Sequence, residues 1–292
     1  MKRIAILGCE NSHANAFLKY VKENEEFFDV EVVGIYSDET EPCEKLAGSF
    51  GVRIMDSFDE AVGLVDGLVI TARHGDNHYK YAKPYIESGI PMFIDKPITI
   101  SEEEALKFMS ELRDNGVRIS GGSSLKYDRL VEKLKKEACE EIGGKTVGGF
   151  VCAPLQSQSE YGGFFFYAQH LVEMVCEIFG RYPNSVRATA IEDKISVLFN
   201  YSDYICTGTY SDTDKFYFAS RLSESGMSGG YTGKRDNGND YYYKEFSEFY
   251  GLLCGNGQKS SYEDFIAPVF IMNAIVRSLE SNREEKIREY KI

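Results

Sequence analysis

At 292 residues, with 43% hydrophobic and 13% aromatic side chains, the chain has material for two domains and a substantial buried core. Its 46 acidic against 33 basic side chains give a net charge of −13, which through plain repulsion excludes nucleic acid and anionic membrane surfaces as expected partners. Seven scattered cysteines, odd in number and never spaced Cys-x-x-Cys, lead us to expect reduced thiols and a cytoplasmic setting.

The apolar run after Lys2-Arg3 is four residues long, a strand rather than the core of a secretory signal, and no segment has the length to cross a bilayer. Strands are expected at 3–7, 30–36, 52–55, 67–71, 92–94 and 117–120, with helices near 13–25, 41–50, 57–64, 78–88 and 101–115. Ser101 followed by Glu104 is a capping signal for the last of these helices. Short apolar strands alternating with helices of this length build a doubly wound parallel sheet, so residues 1–121 read as a Rossmann-type domain.

The pattern changes after Gly121-Gly122, and residues 122–292 read as a second, α+β domain with an open, mainly antiparallel sheet. A charged helix is expected at 126–141, a strand at 146–152 and a helix at 167–179. Four strands rich in β-branched and aromatic residues follow at 186–191, 195–201, 204–210 and 216–222. The glycine-rich stretch 223–239 lacks periodicity and reads as a mobile loop. Phe265, Val269, Met272, Val276 and Leu279 form one apolar stripe over 261–281, a closing helix expected to pack back on the first domain. Pro268 should kink that helix or push its start later.

Chemistry is expected where strands of such a sheet end, because ligands bind outside their carboxyl ends. Pro91-Met-Phe-Ile-Asp95-Lys96-Pro97 delivers Asp95 and Lys96 to that edge, and a lysine drawn out of water there releases its proton more readily than a surface one. The first strand ends at Gly8, where a dinucleotide fold carries Gly-x-Gly-x-x-Gly; here Cys9-Glu10-Asn11-Ser12-His13 follows and only the first glycine remains. Asn11 or Ser12 can cap the next helix and leave its N–H groups for a pyrophosphate, which Glu10 would repel. Ser37 and Asp38 end the second strand, where an acid holds a ribose 2′-hydroxyl and favours NAD over NADP. His74-x-x-x-His78 has the spacing of a helical metal pair but no third ligand near it in sequence, so no metal is expected and His78 is assigned to the nicotinamide side of the cleft. Tyr167, His170 and Glu173 are helical neighbours, and a carboxylate beside an imidazole suits a general base.

The ordered set of these elements resembles the glucose–fructose oxidoreductase / inositol dehydrogenase / rhizopine-catabolism (Gfo/Idh/MocA) family over nearly the whole chain. The resemblance is carried by the Gly8 turn, Asp66-Gly-Leu-Val-Ile-Thr71-Ala72 with His78 beyond it, and Glu87-Ser-Gly-Ile-Pro-Met-Phe-Ile-Asp-Lys-Pro97. Gly162-Gly163 leading to His170, and Ala274-Ile-Val-Arg-Ser278, complete it. It implies an NAD(P)-dependent oxidoreductase acting on a sugar, cyclitol or related polyol, assembled as a homodimer or homotetramer through the C-terminal sheet. It implies catalytic roles for Lys96, which polarises the reacting oxygen, and His170, which carries its proton. It implies cofactor contacts from Gly8, Glu10, Asn11, Ser12, His13, Ser37, Asp38, Thr71, Ala72, His78, Asp95 and Lys96, and substrate contacts from Lys126, Tyr167, His170 and Glu173. Asp95 stands where the family usually has Glu, and Phe166 where it commonly has Asp. Phe166 and the altered glycine turn leave a second reading open, a non-catalytic nucleotide- or sugar-binding protein of the same fold.

Overall fold

The computed structural model describes residues 1–211, 217–236 and 238–292. The N-terminal part contains β1 (Lys2–Leu7), α1 (Ser12–Glu23), β2 (Val30–Tyr36), α2 (Thr40–Phe50) and β3 (Gly67–Ile70). It continues with α3 (Asp76–Ala82), β4 (Met92–Asp95), α4 (Glu102–Asp114) and β5 (Ile119–Gly122). The five strands pair in parallel in the order β2-β1-β3-β4-β5. Ile4 to Leu7 and Leu68 to Ile70 are fully buried, the near-continuous apolar signature of a sheet covered on both faces. In this strand order the crossover reverses between β1 and β3, which opens a crevice at their carboxyl ends.

After α5 (Arg129–Cys139) the chain builds a second sheet from β6 (Thr146–Pro154), β7 (Ser185–Ile191), β8 (Lys194–Asn200), β9 (Ile205–Ser211), β10 (Tyr217–Ser223), β11 (Gly226–Thr232) and β12 (Glu285–Lys286). Its order is β11-β10-β6-β9-β8-β7-β12, antiparallel throughout except for β6 beside β9. Three more helices complete the fold: α6 (Phe165–Phe179), α7 (Tyr241–Leu253) and α8 (Tyr262–Ser281). Residues of α6 and the later part of α8, among them Leu171, Val175, Ile271 and Ile275, share a core with Val151, Val197 and Phe199 of the sheet. The earlier part of α8 (Phe265, Ile266, Val269 and Phe270) belongs to a different core, with Leu68, Ile70, Met92 and Ile94 of the parallel sheet.

Several expected elements differ, each for an identifiable reason. Residues 52–55 form no strand; Ile54 makes one isolated bridge to Ile35 before the chain turns away. Residues 57–64 are turns, ended by Gly63 at φ +74°, with Val62 and Leu64 facing solvent. The helix expected near 78–88 starts at Asp76 and tightens to a 3₁₀ turn from Lys83, because Pro84 has no N–H for the α pattern. Strand β5 runs on through Gly121 and Gly122: a Cβ at Gly121 would stand 2.0 Å from Ile94 O, so the glycines permit strand pairing rather than ending it. The helix expected at 126–141 is split, with a 3₁₀ turn over Ser124–Tyr127 and α5 restarting at the Asp128 cap. The expected 223–239 loop contains β11, a glycine-bearing strand paired along its length with β10. Phe216, at the start of the strand expected there, lies outside the described residues. Pro268 neither delays nor ends α8. The carbonyl it cannot satisfy, Asp264 O, accepts instead from Arg181 Nη1 at 3.2 Å.

Helix α7 has no counterpart in the sequence reading. Asp240 caps it, and Phe246 and Phe249 are completely buried against Phe17 and Phe27 of the first domain's core. The Phe246 ring lies 5.0 Å from Phe17 and 4.9 Å from Phe27. Phe246→Ala should therefore cost about 3–5 kcal/mol. The check is a lower urea midpoint at unchanged m; a loss under 1 kcal/mol would show that α7 is not anchored through this ring.

Candidate active site

Strands β3, β4 and β5 deliver the segments after their carboxyl ends to the N-terminal turns of α6, and these enclose a cavity of about 120 Å³. Lys96, Arg73, Phe166, Tyr167 and His170 line it, with Tyr217, Tyr241 and Tyr242 on the far walls. Lys96 and His170 are thus brought together as the sequence suggested, although they are 74 positions apart in the chain.

Lys96 follows Asp95 directly at the end of β4, and the Lys96–Pro97 peptide is cis. Its ammonium is 4% exposed, lies over the rings of Phe166 (4.7 Å) and Tyr167 (4.9 Å), and reaches Phe166 O at 3.4 Å. Burial, with a smaller push from Arg73, holds its pKa below the ordinary lysine value against the attraction of Asp95. His170 Nδ1 is 2.8 Å from Ser123 Oγ, which leaves Nε2 for the cavity. Burial, then Lys96 and His13, push its pKa well below the usual imidazole value, so the ring is neutral near pH 7.

Behind this wall sits a buried charge cluster. His13 Nδ1 lies 3.0 Å from Asp95 Oδ2, and its Nε2 lies 3.0 Å from Glu245 Oε2 on α7, off the hydrogen-bonding angle. Asn11 Nδ2 donates to the same Asp95 oxygen at 2.7 Å, and Tyr242 stacks on the His13 ring at 4.2 Å. Burial opposes a charge on His13, but Asp95, Tyr242 and Glu245 together raise its pKa well above the usual imidazole value. Burial lifts Glu245 to about 7 despite His13.

Three expected contacts fall elsewhere. Glu173 does not touch His170; it accepts from Arg181 Nη1 (3.3 Å) and Gln169 Nε2 (3.2 Å). Ser123 stands in its place as the group that orients the imidazole. Lys126 donates to Gly121 O at 2.5 Å and lines a separate cavity beside Tyr127 and Glu248. His78 is fully buried, its nitrogens facing Ala72 O (2.8 Å) and Ile98 O (3.2 Å), so it braces the loops and neither lines the nicotinamide side nor binds a metal with His74. His13 belongs to the charge cluster and also lines the cavity, next to Asn11 and Ser12. Among the described residues no three His, Cys, Asp or Glu side chains group as a metal site.

Sequence reasoning missed Arg73, Ser123, Tyr241, Tyr242 and Glu245. Arg73 and Ser123 follow β3 and β5 directly, so the strand-end rule applied to every strand would have found them. The others ride on α7 and carried no signal without that helix.

The crevice between β1, β2 and β3 has the features of a dinucleotide cradle. Gly8 has φ +100°, and a Cβ there would stand 2.2 Å from Ala72 N. Thr71 Oγ1 donates to Gly8 O at 2.6 Å, and Asn11 caps α1 with its N-terminus at the crevice. Ser37 and Asp38 stand at the end of β2; Asp38 accepts from Tyr36 Oη (2.8 Å) and Lys80 Nζ (3.0 Å). The departure is Glu10, whose carboxylate spans the crevice and accepts from Ser37 Oγ at 2.6 Å and from Arg73 N at 2.9 Å. A bound dinucleotide would take over those donors as the half-buried Glu10 side chain turns outward, so the residues fit the group at the cost of one displaced acid.

Residues 2–123 match the family model described as the Gfo/Idh/MocA oxidoreductase family with an NAD-binding Rossmann fold. The match covers the N-terminal domain and stops where the second domain begins. Among curated proteins the chain is 22% identical to the uncharacterized oxidoreductase YhhX of Escherichia coli over 61% of this chain and 53% of that one. It is 28% identical to the glucose-6-phosphate 3-dehydrogenase of Bacillus subtilis over 46% of this chain and 37% of that one. The chain thus spans about half or less of the length of these relatives. The fold is that of a myo-inositol dehydrogenase from Corynebacterium glutamicum (TM-score 0.83, 19% identity, 99% and 100% of the two chains). It is equally that of GenD2 from gentamicin A biosynthesis, solved with NAD (TM-score 0.85, 16% identity, 99% and 97%). The parallel Rossmann sheet and the mainly antiparallel second sheet are thus shared with these solved structures, and the family model matched by residues 2–123 is described as NAD-binding.

Glu10→Gln keeps the side chain's size and removes the charge that a pyrophosphate meets. At roughly 10 Å and an effective dielectric of about 20, that repulsion is about 1–2 kcal/mol. NADH should accordingly bind this variant about tenfold more tightly, read by titrating reduced-nicotinamide fluorescence; equal or weaker binding would remove Glu10 from the nucleotide's path.

Proposed function

We propose that this protein is an NAD(P)-dependent oxidoreductase that moves hydride between the nicotinamide and a hydroxyl-bearing carbon of a small sugar, cyclitol or related polyol. The observation that carries the reading is the meeting of Lys96 and a neutral His170 in one cavity at the carboxyl edge of the sheet. When bound, the cofactor supplies the hydride acceptor or donor. Gly8, the capped start of α1, and Ser37 and Asp38 would hold it. Lys96 holds the reacting oxygen and stabilises negative charge on it as the proton leaves. His170 takes that proton at Nε2, with Nδ1–H donating to Ser123 Oγ so that the ring is held in the basic tautomer. Tyr167 and Phe166 wall Lys96 off from water, which strengthens its field at the oxygen.

The carboxylates of Glu10, Asp38 and Glu39 around the end of β2 favour NAD over NADP, since a 2′-phosphate would meet all three. The free cysteines suit a reducing cytoplasm. The outer face of the second sheet exposes Phe150, Leu198, Ile205 and Tyr231, and we assign this face to self-association. Leu198→Asp should then yield monomers in light scattering, and an unchanged mass would move the interface elsewhere. Glu10 in the crevice and Phe166 in the cavity favour one other reading, a non-catalytic binding protein of the same fold; sugar binding without any nucleotide binding would select it.

Lys96→Ala and His170→Ala should each lower kcat at least about 100-fold, with NADH affinity within about threefold of wild type. The pH profile of polyol oxidation follows from the two shifts. His170 must be neutral, and its pKa lies well below 6.5, so the acid limb should fall well below pH 6.5. Lys96 must be charged, and its pKa lies below 10.5, so the alkaline loss should begin before pH 10.5. An acid limb at or above pH 6.5 that persists in His170→Ala would assign the base to another group.

A further inference from the structure

The cavity wall carries cations and no acid. Arg73 and Lys96 both line it, and neither has a carboxylate within ion-pairing distance among the described residues. Lys96 meets only Phe166 O and two aromatic faces; the Arg73 guanidinium lies over the Tyr161 ring at 5.1 Å. In a chain of net charge −13, two uncompensated cations facing one enclosed space stand out. Their proximity shows in the effect of Arg73, which pushes the Lys96 proton off. The acids that act on Lys96, Asp95 and Glu245, are turned to His13 behind the wall, and Glu10 meets Arg73 only at its backbone N–H. Phe166 lines the cavity and no acid does, so no carboxylate there repels an anion. Burying a cation without a partner is costly, and a ligand that brings a negative charge relieves it.

We propose that the substrate is a polyhydroxylated carboxylate, an aldonic or uronic acid, whose carboxylate is bound by Arg73 while its reacting hydroxyl lies between Lys96 and His170. This rests on the oxidoreductase reading for the reaction, though not for the binding. Arg73 presents a planar fork of donors matched to a carboxylate. It follows β3, across the cavity from the α6 histidine, so one molecule can span both. Tyr167, Tyr217 and Tyr241 add aromatic walls with hydroxyl edges, suited to the faces and hydroxyls of a sugar chain. The other anion available to Arg73 is the pyrophosphate of the dinucleotide, and the test separates the two.

The experiment is calorimetric titration of the nucleotide-free protein with D-gluconate and D-glucuronate against D-glucose and myo-inositol, together with NADH titration, in wild type, Arg73→Gln and Arg73→Lys. The acids should bind wild type at least tenfold more tightly than the neutral polyols. Arg73→Gln should bring that preference within twofold, Arg73→Lys should retain part of it, and NADH affinity should stay within threefold in both. Equal binding of acids and neutral polyols, or binding of neither, overturns the proposal. So does an acid preference that survives Arg73→Gln while NADH binding falls tenfold, since the guanidinium then serves the pyrophosphate. Nucleotide binding with turnover of neutral polyols only would sink this proposal and leave the oxidoreductase reading standing. Arg73-dependent acid binding without nucleotide binding would support the proposal and sink that reading.

Discussion

The imidazole of His13, held between Asp95 and Glu245, is the contact on which the rest of the site depends. It joins three elements distant in sequence: the start of α1, the end of β4 and the second turn of α7. Burial costs all three groups, and buried ion pairs of this kind add little net stability against a well-packed apolar alternative. What the contact fixes is geometry and field. Removing any one member would leave a charge without its partner, so α7 is tied to the first domain in a single register. Asp95, committed on one side to His13 and Asn11, stands directly before Lys96 in the chain. The same His13 charge helps keep His170 neutral. One buried pairing thus holds two side chains at their working protonation states from behind the cavity wall.

This arrangement explains why the cavity lies where it does. The parallel sheet brings the ends of β3, β4 and β5 side by side, and each end contributes one polar group: Arg73, Lys96 and Ser123. Helix α6 supplies the opposite wall, with Tyr167 and His170 one turn apart. Helix α8 belongs at once to the core of the parallel sheet and to that of the second sheet, which holds the two walls at fixed separation. The interaction that permits its uninterrupted run is local: Arg181 gives Asp264 O the hydrogen bond that Pro268 withholds, while pairing with Glu173 and Glu177. Glu173, expected beside the His170 imidazole, instead serves the helix packing behind it.

Much of this was legible from sequence, and what was not had physical causes. Buried parallel strands announce themselves as apolar runs, so β1 to β4 were found close to their true bounds. Lys96 was singled out by the strand-end rule and His170 by its helical neighbours, the family resemblance paired them, and the fold brings both to one cavity. Strand β11 was hidden because its pairing with β10 is a backbone property, and its glycines, one of which would place a Cβ 2.5 Å from Ala219 O, read as loop. Helix α7 was hidden by its aromatic crowding, Tyr241-Tyr-Tyr243, which carries no clean 3.6-residue stripe. With it went Tyr242 and Glu245. Glu173 was misassigned because helical spacing says which residues neighbour one another on a surface, but not which way a long side chain turns when a guanidinium stands on the other side.

The groove as a whole is polarised, and that polarity joins the crevice to the cavity. Around the end of β2 it presents acids: Glu10, Asp38 and Glu39. Around the ends of β3 and β4 it presents the cations Arg73 and Lys96. The border runs through Arg73, whose backbone N–H is held by Glu10 and whose side chain lies on Tyr161, while Tyr161 Oη donates to Glu39 at 3.0 Å. Glu10 is therefore placed to link the two ends. As long as its carboxylate holds the Arg73 amide, the loop after β3 is fixed and the crevice is filled. A residue that looks in sequence like a lost glycine is, in the fold, the acid that ties Ser37 at the end of β2 to the loop carrying Arg73.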